Sequence, residues 1–339
     1  MTIPENDFTK LRDRVNSAGL LDRQPRYYTL KIAFTLALMA ISIGLFFAIG
    51  NFWVLLTVNA PFMAFALGQV GFISHDSGHR QIFTKTRGNE IVAVTSSFVL
   101  GLSRSWWIDK HNRHHSNPNQ ADMDPDIEIP VLAFSEEQAL AKRGIFRFMV
   151  QRQAQIFPLI LFLQGFSLRV SSVLHMLRNR VRYPLMEPLS MIVHLSIYLG
   201  ILLFLLEPWQ ALVFFVVNQA LWGFYLASVF APNHKGMLML ERDTGLDYLR
   251  RQVLTARNVK GHPFTDFWYG GLNYQIEHHL FPTMPRNNLG KTQKLVKQFC
   301  AERGISYHEV GMLRSYVEII EFLRRVSLPL RQKPKVAAA

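Results

Sequence analysis

Seven of the chain's twelve histidines fall in three short clusters. His75 and His79 stand four apart in HDSGH, His111, His114 and His115 occur in HNRHH, and His278 and His279 follow Gln275 in QIEHH. Residues four apart share one face of a helix, so His75 and His79 can point at one metal. His111, His114 and His115 occupy offsets zero, three and four, again one face. Gln275, His278 and His279 repeat that spacing with an amide in the first place. By chance, HxxxH arises roughly 0.4 times in a chain this rich in histidine, but HxxHH on the order of 0.01 times. The second cluster is therefore the specific one, and the third is its near copy. Imidazole ligation suits zinc, copper, iron or nickel. Seven or eight ligands exceed what one tetrahedral zinc uses, so two metal ions are predicted.

The remaining histidines divide. His234, in APNHKG at the end of an apolar stretch, is a candidate eighth ligand. His194 lies inside an apolar segment and reads as a packing residue. His175 and His308 read as surface residues, and His262 in KGHPF as a turn residue.

The elements that must gather these clusters are visible in the hydropathy. The 339 residues are 49% hydrophobic, with a mean hydropathy of +0.10, more apolar than an average soluble domain. Four stretches are long enough to cross a bilayer, about 30–50, 53–73, 186–206 and 211–231. Asn51-Phe52 joins the first two and Glu207 to Gln210 the last two, connections short enough for helical hairpins. A single cysteine, Cys300, rules out an intrachain disulfide and cysteine-rich metal sites.

The formal net charge is +13, which suits nucleic acid, an anionic membrane surface or an acidic substrate. The apolar content selects the membrane and argues against nucleic acid. No Lys or Arg lies between Lys31 and Arg80, or between Arg182 and Lys235, so all 37 basic residues fall on one side of the bilayer. By the positive-inside rule that side is the cytoplasm, with both termini and all three clusters on it. The first 26 residues are polar and charged, unlike a signal peptide.

The expected fold is all-α and integral to the membrane. It has four transmembrane helices in two hairpins, interfacial helices, and a cytoplasmic helical cap holding a two-metal site. Residues 1–27 form an N-terminal cytoplasmic helix, 28–330 the main domain, and 331–339 a disordered tail. Two shorter apolar runs, 91–103 and 156–166, are expected to lie in the interface or dip into the membrane. Residues 138–186 contain eight basic residues and no acidic one. Such a run attracts anionic headgroups, and it also suits a phosphate-bearing carrier such as coenzyme A or an acidic electron-transfer protein.

HDSGH, HNRHH and QIEHH, each following a hydrophobic segment, resemble the three histidine boxes of the membrane fatty acid desaturases. The likeness covers about residues 30–290. A third box with a leading Gln, followed by LFP, is similar to that of the front-end and linoleoyl-CoA-type subgroup, and to bacterial acyl-CoA desaturases. The resemblance implies an enzyme with two iron ions that uses O2 and two electrons to remove two hydrogens from a long-chain acyl group, carried by CoA or a lipid. It implies His75, His79, His111, His114, His115, His278 and His279 as iron ligands, with His234 as an additional one.

Gln275 would lie close to the metal, as a weak ligand or a partner of metal-bound solvent. Asp124, Asp126 and Glu128 are candidates to orient ligand imidazoles, and Asn233 and Asn273 are further candidates beside the site. No separate acid or base is assigned. Trp106, Trp107, Trp222, Phe224, Tyr225, Trp268 and Tyr269 are candidate walls of a dry acyl channel. No His-Pro-Gly-Gly haem motif appears in the sequence. The electron donor is therefore expected to be a separate ferredoxin, cytochrome or flavin reductase, and the setting a bacterial inner membrane.

Three other functions compete, of which a non-catalytic lipid-binding protein leaves the histidine clusters unexplained. A hydroxylase on the same scaffold would insert oxygen into a lipid or alkane. A metal transporter would place polar residues near mid-membrane, where only His194 is found among the histidines.

Overall fold

A computed structural model describes residues 6–332, and these are mostly helical. Asn6 caps α1 (Asp7–Ser17), accepting the Phe8 N–H at 3.0 Å. Pro25 opens α2 (Pro25–Ala48), and the Asn51 side chain caps α3 (Phe52–Gly78) by accepting the Val54 N–H. Early in α3 the helix widens into a π turn at Leu55–Asn59, just ahead of Pro61, which has no N–H to give. Asn59 in that turn is buried and exchanges hydrogen bonds of 3.0 and 3.1 Å with Ser42, fastening α3 to α2.

Next come α4 (Thr86–Leu100) and α5 (Arg104–Ser116), which meet at 109°. α6 (Glu136–Ala141), α7 (Gly144–Gln151), α8 (Gln153–Arg178), α9 (Met186–Leu205) and α10 (Pro208–His234) follow. The cap is completed by α11 (Tyr248–Leu254), β1 (Asn258–Val259), α12 (Pro263–Trp268), α13 (Gln275–Leu280), α14 (Leu289–Glu302), β2 (Glu309–Val310) and α15 (Met312–Val326). The two strands are parallel, with Asn258 opposite Glu309 and Val259 opposite Val310.

Among the described residues five helices, not four, are long and apolar enough to cross a membrane: α2, α3, α8, α9 and α10. The addition is α8. Its apolar run was expected to end at residue 166, but the helix continues through a 3-10 turn at Leu161–Leu163 to Arg178. The other short run, 91–103, ends at Leu100, and the chain folds back there as a bent pair. α3 and α10 form the inner pair, each 56% buried along its apolar window, whereas α2 and α9 are 17% and 11% buried and turn outward. Apolar side chains such as Leu30, Leu36, Leu189 and Phe204 are exposed on that outer surface. They are the residues lipid would cover.

The bend between α4 and α5 has a local cause. Gly101 adopts the left-handed conformation (φ +64°), and a Cβ there would fall 2.4 Å from the His194 ring. Only glycine fits. His194 packs edge-on to Phe98, and its Nε2 has no hydrogen-bond partner among the described residues. Its role is packing.

Behind the third histidine box, α1, α11, α13 and α14 share one apolar cluster that includes Leu11, Val15, Val253, Ile276, Leu280, Met284 and Phe299. At roughly 25 cal/mol per Å2 of apolar surface, such a cluster is the main force holding α13 in place. Residues 1–5 of the expected N-terminal segment, and 333–339 of the expected tail, lie outside the described residues.

Candidate metal centre

The three clusters and His234 meet beneath the ends of α3 and α10. His75 is in the last turn of α3 and His79 caps that helix. α5 carries HNRHH, α10 ends on His234, and α13 carries QIEHH. The eight imidazoles form two groups. His75, His79, His111, His115 and His278 make one, and His114, His234 and His279 the other.

Each histidine doublet is thus divided. Sequence spacing placed His111, His114 and His115 on one face, but successive helical residues point about 100° apart. His115 therefore turns to the first group and His114 to the second. His278 and His279 divide the same way.

Within the groups the Nε2 atoms face one another. They lie 3.1 Å apart for His75 and His278, 2.8 Å for His79 and His111, 3.1 Å for His111 and His115, and 3.1 Å for His115 and His278. In the second group His234 Nε2 is 3.3 Å from that of His114 and 3.0 Å from that of His279. Nitrogens about 2.0–2.1 Å from a shared ion lie near 3 Å from each other, so these spacings fit metal binding. Burial, then the neighbouring imidazoles, hold His79, His111, His115, His278 and His279 well below the usual histidine range. The rings are therefore neutral, with lone pairs free for a cation. The His115 and His279 rings stack in parallel at 4.1 Å where the groups abut.

The Nδ1 atoms have their own partners. His114 Nδ1 lies 3.0 Å from Asp124, whose other contacts include the Asn119 N–H at 2.7 Å. Burial pushes the Asp124 carboxyl up, but His114 beside it wins and holds it below the usual range. His234 Nδ1 faces the Thr255 carbonyl at 3.0 Å, His279 Nδ1 the Gln252 Oε1 at 2.9 Å, and His75 Nδ1 Asp76 at 3.2 Å. Such partners fix the tautomer and aim of a ligating ring. Asp124→Asn is expected to weaken metal binding about 10–100-fold, measurable by metal titration of the purified protein.

Gln275 Nε2 lies 3.0 Å from His234 Nε2, and its Oε1 accepts from Asn233 at 2.9 Å, so both amides border the second group. Of the other candidates, Asp126 borders the second group, and Asn273 and Glu128 fall elsewhere. Asn273 bonds the Val259 carbonyl and Asp266, fastening the loop ahead of α13 rather than an imidazole. Asp126 pairs with Lys110 and lies 3.5 Å from His114, while Glu128 meets Gln138.

Among the aromatics, Trp107 borders the site, stacked on His111 at 4.4 Å. Trp106 is buried at the start of α5, and Trp222 is fully buried in the core of the spanning helices. Phe224 stacks on Phe162. Trp268 packs against Tyr225 at 4.5 Å, and Tyr269 is buried beside Phe72 and Val229.

Gln252 and Thr255 were missed. Both reach the site from α11 or its end, and Gln252 also donates to the His115 carbonyl at 2.9 Å. No spacing in the sequence marks them. Glu277, between the box residues, points away from the rings: Asn258 and Tyr307 donate to it at 2.7 and 2.9 Å, and burial pushes it up to about 7. It ties α13 to the strand β1.

Eight imidazoles in two groups, six of them buried and His111 and His115 partly so, under helices apolar enough to cross a membrane, mark a histidine-rich membrane protein suited to hold metal. Comparison narrows this class. Residues 51–311 match the family described as Fatty acid desaturase. The chain is 33% identical over 337 residues to the acyl-lipid (9-3)-desaturase of Physcomitrium patens, covering 95% of this chain and 62% of that protein. It is 31% identical to the Delta(6)-fatty-acid desaturase fat-3 of Caenorhabditis elegans (96% of this chain, 76% of that one). To the Delta(8)-fatty-acid desaturase of Euglena gracilis it is 32% identical, covering 94% of this chain and 78% of that one. The chain belongs to the fatty acid desaturase family, and its class is oxidoreductase.

Proposed function

We propose that the protein is an O2-dependent desaturase that binds two iron ions and places a double bond in a long-chain acyl group. The observation that carries this reading is the division of both histidine doublets between two imidazole groups. His75, His79, His111, His115 and His278 would hold one ion, and His114, His234 and His279 the other, with Gln275 beside the second. Iron supplies the activation of O2 that an unactivated methylene requires. The reaction breaks one C–H bond on each of two neighbouring carbons. Two electrons come from the acyl chain and two from a donor, two protons are taken up, and O2 leaves as two waters.

The chain's own residues bind, aim and exclude. Asp124, Thr255 and Gln252 hold the rings in position, and Trp107 covers His111. An open groove of about 790 Å3 behind α5, lined by Arg104, Arg113, His175, Arg180 and Arg182 among others, supports a phosphate-bearing acyl carrier, CoA or lipid. We assign the electrons to a ferredoxin, cytochrome or flavin reductase.

Four crossings, by α2, α3, α9 and α10, suit this function better than five. Gln153, at the start of α8, donates to the Ala133 and Leu323 carbonyls. Just past its end, the Arg182 N–H donates to Ser105 at the start of α5, the helix of the second box. Both ends of α8 are thus fastened to segments outside the spanning helices, which suits a helix lying along the interface. An odd number of crossings between His115 and His234 would separate imidazoles that lie together. We place the site on the cytoplasmic side of the membrane, a reading that the one-sided distribution of the basic residues supports.

The deciding experiment is expression in a heterologous host with iron and a competent donor, followed by fatty acid methyl ester profiling. A product lighter by two hydrogens, with its double bond located, is expected. A product heavier by one oxygen would make the enzyme a hydroxylase, and no new product would overturn the reading. His194→Ala is expected to keep near wild-type yield in the same assay, because its ring only packs on Gly101 and Phe98. Loss of product from a well-folded variant would add His194 to the site.

A further inference from the structure

The second histidine box hangs on the 109° bend between α4 and α5. His114 is 11 residues beyond the Ser103 cap, about 16 Å along the helix axis. A tilt of about 10° at the bend would move it by about 3 Å, as far as the nitrogens within each group are apart. Something must fix that angle.

Glu187 contacts the corner from outside the pair. It stands in the first turn of α9, 3% exposed. One carboxylate oxygen accepts the Ser103 hydroxyl at 2.6 Å and the Ser105 N–H at 3.1 Å, and the other accepts the Ser105 hydroxyl at 2.5 Å. Ser103 Oγ in turn accepts the Trp106 N–H, and Ser105 Oγ the Arg182 N–H. The carboxylate therefore takes the Ser105 N–H, one of the free N–H groups at the start of α5, where the helix dipole favours negative charge. Arg104, between the two serines, pairs with Glu90 on α4 and holds the other side of the corner. Removing a carboxylate from water is costly unless donors converge on it. Here three do, and all belong to the N-terminus of α5.

We propose that Glu187 is a positioning residue of the metal centre: it sets the angle of α5 and thereby the places of His111, His114 and His115. This rests on reading the imidazole groups as metal-binding. The alternative is a cap that stabilises the fold without bearing on the metals.

The test uses the full chain purified in mild detergent. Iron per monodisperse monomer, and the visible spectrum after reloading with Co2+, are measured for wild type, Glu187→Ala, Glu187→Gln and the double variant Ser103→Ala/Ser105→Ala. Leu202→Ala, a buried lesion on the same α9 far from the bend, is the control for general destabilisation. Glu187→Ala and the serine double variant are expected to bind Co2+ at least tenfold more weakly with an altered spectrum, and Glu187→Gln to fall between. Leu202→Ala should lower the unfolding temperature and keep the wild-type spectrum.

If Glu187→Ala does not fold, the serine variant decides. Wild-type metal content and spectrum in the folded variants would overturn the proposal and leave the metal centre standing. A wild-type protein that takes up no metal would instead sink the centre, and this role with it.

Discussion

His114→Ala is expected to abolish product formation while the protein stays folded in the membrane, and to lower bound metal from two ions to about one. His114 is buried, its Nε2 faces that of His234 at 3.3 Å, and its Nδ1 is held by Asp124 at 3.0 Å. The second group has only three imidazoles, so the loss leaves two, His234 and His279, with Gln275 alongside. The first group keeps all five. The loss in activity should therefore exceed the roughly 10–100-fold that follows from removing a ring's outer partner, and Asp124→Asn provides the direct comparison. Methyl ester profiles and metal analysis of the same preparation give both readings. Substantial product from His114→Ala would mean that the three-histidine group does not hold a required ion.

The largest effect on stability is expected at Asp76. Its carboxylate lies 2.9 Å from Arg286 Nε, and both side chains are almost wholly buried. Arg286 also donates to the Gly270 carbonyl at 3.0 Å and lies over the Phe72 ring. Gly270 has φ +59°, and a Cβ there would come within 2.8 Å of the guanidinium, so the loop is shaped around the arginine. Asp76→Ala strands that charge in the interior, a loss of roughly 3–5 kcal/mol. Replacing both partners together, as Asp76→Leu with Arg286→Met, should recover much of it, because a matched apolar pair leaves no unpaired charge. Unfolding midpoints in one detergent give the comparison. An Asp76→Ala protein as stable as wild type would show that Arg286 finds other compensation. Since Asp76 follows His75, the same substitution should also loosen the first imidazole group.

Much of the centre is legible in the sequence. HxxHH is rare enough to carry its own weight, and the placement of each cluster just past an apolar stretch predicted that they meet. His234 was found by position alone, level with the others at the end of a span. The division of the doublets was within reach of helix geometry, but offsets of zero, three and four also suit a single face, and that simpler reading prevailed. Gln252 and Thr255 were out of reach: each touches the site only because α11 packs beside α13 through Val253 and Ile276, a long-range contact. The extent of α8 was missed because Gln164, Arg169 and Arg178 break the apolar run in the sequence. In the fold Arg169 donates to the Leu100 carbonyl and bonds Gln219 instead of facing lipid.

A helix that serves two neighbours cannot please one without disturbing the other. Twisting α5 so that His111 and His115 press closer to their companions swings His114 away from its own, and α13 is bound the same way through His278 and His279. Whole-helix motion is thus a poor instrument for adjusting either ion separately. Finer control falls to the atoms behind individual rings, Asp124 for His114, the Thr255 carbonyl for His234 and Gln252 for His279, where one substitution can retune a single donor and leave its twin untouched.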